Sequence, residues 1–152
     1  MRRIPLILVT AGTACGGDAA APSPDVPAVL VGVWVAEPAC LPECEFTVFD
    51  RQQPSQSINF VAFGLGVEMT VQATGRFRIE VRLARDTLLD GTVRVVGDRM
   101  LVSSAGAATV DTLEFTIHEP WLELQLRSRL AYDLDADGTD DDVGLRGKFR
   151  RR

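Results

Sequence analysis

Histidine is nearly missing from this chain: His118 is the only one in 152 residues. A Ser-His-Asp relay therefore has a single candidate base, and no nucleophile motif surrounds any serine. His118 falls on what reads as an outer face beside Pro120, where a surface histidine is the simpler interpretation. No glycine-rich phosphate loop leads into a helix, which leaves nucleotide binding without support. Paired carboxylates occur only in one acidic stretch, where water keeps them ionised and unable to donate a proton. The expectation is a protein that is not an enzyme. Positive charge is also in deficit, and a net value of −5 argues against nucleic acid as a partner. Long apolar runs are lacking too. The run at residues 4–14 has eleven residues, roughly 16 Å as helix and about half of a bilayer core.

That short run has a context of its own. Arg2 and Arg3 precede it, residues 4–9 form a greasy centre, and Gly12, Thr13 and Ala14 lead into Cys15. Residues 1–15 resemble a bacterial lipoprotein signal, in which the cysteine after the cut is acylated and becomes the first residue. The resemblance implies a lipid on Cys15 and a protein anchored in the cell envelope, at the outer membrane facing periplasm or exterior. Ordinary signal cleavage is the alternative. Cysteine arithmetic bears on the choice, because three cysteines are an odd number for an exported protein. With Cys15 assigned to a lipid, Cys40 and Cys44 remain, and Pro42 between them favours a turn that brings their sulfurs together. A disulfide is expected there; a metal or redox pair has no further Cys or His nearby in sequence. Residues 16–28 carry three prolines and no hydrophobic period, and read as a flexible tether.

Residues 29–152 suffice for one core. Their alternation is of the strand kind. Phe77, Ile79, Val81 and Leu83 alternate with Arg78, Glu80 and Arg82, and the period of two returns around Met69, around Phe115 and Ile117, and around Leu122 and Leu124. Turn signals stand between the runs, among them Gly75, Gly91, Gly97 with Asp98, and Pro120. Residues 56–64 fit neither period. The pattern predicts an all-β antiparallel meander of about eight to ten strands, closed into a barrel to remove its free edges. Phe46, Met69, Phe77, Ile79, Val81, Phe115, Ile117, Leu124 and Tyr132 then point inward. They are the candidate lining for a small apolar ligand or, equally, the side chains of a solid core, since barrels of this size stand on the border between the two.

The body opens with Leu30-Val31-Gly32-Val33-Trp34 and ends on a basic strand at residues 143–150. The Gly-x-Trp resembles the first strand of lipocalins. The segments at residues 91–98 and 132–138 extend the likeness to small lipocalin-like bacterial lipoproteins. The resemblance implies an up-and-down barrel closed at its base by Trp34 beneath an arginine from a late strand, here Arg146 or Arg150. Trp121, after Pro120, reads as a lid over one barrel end.

One motif carries metal chemistry. Residues 133–142 hold six aspartates, and the D-x-D-x-D-G spacing resembles a calcium loop. Asp133, Asp135 and Asp137 would supply side-chain oxygens, Thr139 its carbonyl, and Asp141 a direct or water-mediated contact. Position twelve, where such a loop has a bidentate Glu, is Gly144. An acidic, solvated hairpin tip is the competing reading.

Overall fold

A computed structural model describes residues 25–104 and 108–152. Residues 1–24, Cys15 among them, lie outside the described part. The strands are β1 (Gly32–Ala36), β2 (Glu45–Asp50), β3 (Ser57–Asn59), β4 (Val67–Val71), β5 (Arg76–Val81), β6 (Asp86–Val96), β7 (Arg99–Ser104), β8 (Val110–His118), β9 (Trp121–Leu126), β10 (Leu130–Tyr132) and β11 (Asp141–Arg151), with one 3₁₀ turn at Pro38–Cys40. All pairings are antiparallel. The order β1-β4-β5-β6-β7-β8-β9-β11 returns to β1, so eight strands close a barrel. The other three lengthen it: β2 and β10 flank β11 beyond β1 and β9, and β3 pairs with β2.

The inward faces are those the alternation predicts, except that Leu83 falls in the turn past the end of β5 and is exposed. Val67, Met69, Val71, Phe77, Ile79, Val81, Leu122, Leu124 and Leu126 are buried in one continuous core. One bulge breaks the period. Ile79 pairs with Leu89 but Glu80 pairs with Thr87, so Leu88 is an extra residue, and Leu88 and Leu89 are both buried although adjacent. Farther along β6, Gly91 lies so close to β7 that a Cβ would sit 2.2 Å from the Ser103 carbonyl oxygen. The ambiguous stretch at 56–64 resolves into β3 followed by turns, with Phe60 and Val61 buried and Phe63 exposed.

The last residues of the stretch read as a tether, 25–28, lie among the described ones. Val26 and Leu30 are buried, and the Asp25 carbonyl accepts the amide of Val95. Residues inside the stretch read as flexible are therefore packed, because Val26 joins the barrel's apolar cluster.

Trp34 is fully buried, and its indole Nε1 donates to the Leu30 carbonyl at 2.9 Å. The cation above its ring is Arg151, with the guanidinium carbon 4.2 Å from the ring centroid. This corrects the assignment to Arg146 or Arg150. Strand parity is the reason: Val143, Leu145, Gly147 and Phe149 face inward, so Arg151 shares their face while Arg146 and Arg150 are exposed on the other. Arg151 also donates to the carbonyls of Val31, at 2.9 Å, and Val29, and is paired with Glu119 at 2.8 Å. Cation–π contact and charge-assisted hydrogen bonds of this kind are worth about 0.5–2 and 1.5–3 kcal/mol. Arg151→Ala is accordingly expected to lower unfolding free energy by about 2–4 kcal/mol in denaturant titration, and Arg150→Ala to leave it nearly unchanged.

Candidate functional site

Three places carry the candidate residues: the barrel interior, the acidic loop and the outer wall. In the interior, Phe46, Met69, Phe77, Ile79 and Val81 all have 0% exposure. Solvent-sized space therefore touches none of them, from outside or from within. Leu124 is buried, and Phe115, Ile117 and Tyr132 pack against the core while partly exposed. The filling is aromatic at one level. The rings of Phe46 and Phe149 meet edge to face at 5.7 Å, Phe46 lies 6.0 Å from Phe60, and Phe60 lies 6.4 Å from Tyr132. Gly147 makes room for this cluster: a Cβ there would come within 2.5 Å of the Phe149 ring and 3.0 Å of Phe46.

Tyr132 closes that cluster next to the acidic loop. Burial raises its phenol above the ordinary tyrosine value, with smaller contributions from Asp86 and Asp133.

Within the loop, carboxylate oxygens of Asp133, Asp135 and Asp141 lie within 4.8 Å of one another. Two oxygens bound to one calcium at about 2.4 Å can stand about that far apart, so these three fit a shared cation. Asp137 does not join them. Its carboxylate accepts the Thr139 amide at 2.7 Å, an Asx turn within the loop. The converging carboxylates have amide partners as well. Asp133 accepts from Asp137 and Gly138 at 3.1 and 3.0 Å, Asp135 from Asp137 at 3.2 Å, and Asp141 from Leu134 at 3.1 Å. The loop is thus closed by its own backbone, with Ala136 and Gly138 at positive φ supplying the bend.

Cys40 and Cys44 form a disulfide. It braces the turn at residues 40–44 that leads into β2. Beyond it, on the outer wall, lies a trough of about 600 Å³. Its floor is the outward face of β2, β11, β9 and β8, with Arg146, Lys148, Glu123 and Gln125 along it. Pro42 and Glu43 stand at the β2 side and Asp98, in the turn between β6 and β7, at the β8 side. Of the residues expected to line a ligand cup, Phe115 and Leu124 border this trough, and so does Arg146. Trp121 is half-buried at the start of β9, packed against the core, with the Lys148 ammonium 5.6 Å from its ring centroid. His118, its register partner, is exposed.

Arg51 has no counterpart in the sequence reading. Its guanidinium donates to the carbonyls of Arg127, at 3.1 Å, and Ser128, where the chain leaves β9 before β10 and those groups lack strand partners. Only the break between β9 and β10 exposes that need, and no local signal marks it.

Compared with known proteins, the chain matches no protein-family model, no curated protein and no solved structure.

Two measurements check the loop and its neighbour. As the only tyrosine, Tyr132 can be titrated by ultraviolet absorbance, and its pKa is expected above that of a free tyrosine. The unfolded phenol ionises first, so stability is full below pH ~10 and is lost as pH rises through the folded value. For the loop, three carboxylates without a bidentate Glu place any calcium affinity at about 10⁻⁴–10⁻³ M. Micromolar calcium is expected to leave Tm unchanged, and a rise there would overturn this reading of the ligand set.

Proposed function

We propose that the chain is an exported lipoprotein held at the cell envelope through Cys15, and that its lipocalin-like barrel is a packed scaffold acting through its outer surface. The observation that carries this reading is the zero exposure of Phe46, Met69, Phe77, Ile79 and Val81, beside a concavity of about 600 Å³ that lies outside the barrel. A cup for an apolar ligand needs several hundred Å³ of connected interior space. Opening one here would require Phe46 and Phe149 to leave their contact, at the cost of buried aromatic area. The order of the N-terminal features supports the anchor: positive residues, a short greasy run, small residues, then cysteine. From Cys15 to Asp25 the chain spans at most about 35 Å, which would keep the barrel close to the bilayer that holds the lipid.

The test is mass spectrometry of the protein extracted from its native membrane, paired with titration of the purified barrel by an apolar fluorescent probe such as N-phenyl-1-naphthylamine. The expected result is lipid on Cys15, no co-purifying apolar molecule and no saturable probe binding. A free Cys15 thiol would remove the anchor. Stoichiometric probe binding that Phe46→Trp blocks would restore the ligand cup.

A further inference from the structure

The outer-wall trough is charged in an unbalanced way. Five carboxylates and two cations line it. Glu123 is paired with Lys148 at 3.2 Å and Glu114 with Arg127, whose Nε donates at 2.7 Å. Among the described residues, the side chains of Glu43, Glu45 and Asp98 take part in no hydrogen bond or ion pair, and neither does that of Arg146. Three carboxylates therefore face the trough without an ion-pair partner, two at its β2 side and one at its β8 side; Lys148, the register partner of Glu45, is paired with Glu123. The single free guanidinium sits on the floor between them.

We infer that this trough binds an extended peptide segment of a partner protein that carries basic residues at both ends and an uncharged centre. Four strands make the floor, and three gaps of about 4.8 Å give a width of roughly 14 Å. An extended chain covers that width with about four residues at ~3.4 Å each. Basic side chains at the two ends reach Glu43 and Glu45 on one side and Asp98 on the other, relieving repulsion that the protein leaves uncompensated. Arg146 disfavours a third cation in the middle and offers N–H donors to backbone carbonyls there. The disulfide holds the turn bearing Glu43 in place before the peptide arrives, so less ordering cost attends binding. This deepens the surface-interaction reading and rests on it. Failure of the peptide test leaves that reading open, whereas apolar-probe binding in the interior ends it independently.

The probe is acetyl-Lys-Ser-Ser-Lys-amide, titrated into the full-length mature protein at low salt and followed by amide NMR. Saturable shifts are expected at residues 43–45, 98, 123–125 and 146–148. Glu45→Gln combined with Asp98→Asn should weaken binding by about tenfold. Asp140→Asn removes a charge of the same sign in the acidic loop and should change affinity by less than about twofold. Circular dichroism checks that each variant folds. The inference is overturned by shifts centred on residues 133–142, by equal losses in the two sets of variants, or by no saturable shift. Equal binding of spermidine would reassign the trough to free polyamines. Trough shifts that depend on protein concentration without peptide would assign it to a second copy.

Discussion

Everything in this barrel depends on how its last strand is held. β11 pairs with β9 and β10 along one edge and with β1 and β2 along the other, so it alone satisfies both rows of backbone donors and acceptors at the seam. Without it the sheet would open with two unpaired edges, each a template for another chain. The register of that strand is set by side chains as well as by the ladder. Trp34 stands opposite Arg151, and the stacked guanidinium ties the indole to Glu119 and to the chain just before β1. A slip of one residue would bring Arg146, Lys148 and Arg150 inside in place of Leu145, Gly147 and Phe149. Burying three unpaired cations costs far more than any ladder could return.

An eight-stranded ring is wide enough either to fill or to hold a small guest, so side-chain volume decides which. Here large side chains with no exposure, Phe46, Phe77 and Phe149 among them, occupy the inside. The absent side chain at Gly147 lets Phe46 and Phe149 meet across the strand, and Phe60 and Tyr132 continue the cluster to the acidic end. The lack of exposure at Phe46, Phe77 and Phe149 turns attention to the outside. There the turn braced by Cys40 and Cys44 and the turn at Asp98 rise on either side of four strands and make a concavity on the outer wall.

Much of the fold was legible because a half-buried strand writes its two faces into the chain at period two. The runs around Met69, Ile79, Phe115 and Leu124 predicted strands that exist, and Gly75, Gly97 and Pro120 marked real turns, whereas Gly91, read as a turn, lies inside β6 where its missing side chain lets β7 approach. Legibility failed where parity or partner is set by a residue far away. The last strand carries Arg146, Arg150 and Arg151 within six positions, and composition does not say which faces in. Leu88 and Leu89 both face the core only because a bulge inserts one residue opposite Ile79 and Glu80. Val26 looked like tether because its neighbours are proline and aspartate, yet it is buried against the barrel end. Of the calcium ligands read from spacing, Asp133, Asp135 and Asp141 converge, while the Asp137 carboxylate is bound to the Thr139 amide.

By itself the sequence determined the local things: strands by alternation, turns by glycine and proline, a disulfide by two cysteines around a proline, and an acidic tip by six aspartates. These follow from near-neighbour sterics and solvation, which act over a few residues. Tertiary structure alone decided that Arg151 is the cation on Trp34, that Phe46, Met69, Phe77, Ile79 and Val81 are sealed from solvent, and that a trough lies on the outer wall. Each of those is a matter of volumes and charges brought together from distant strands, and nothing along the chain encodes them until the ring closes.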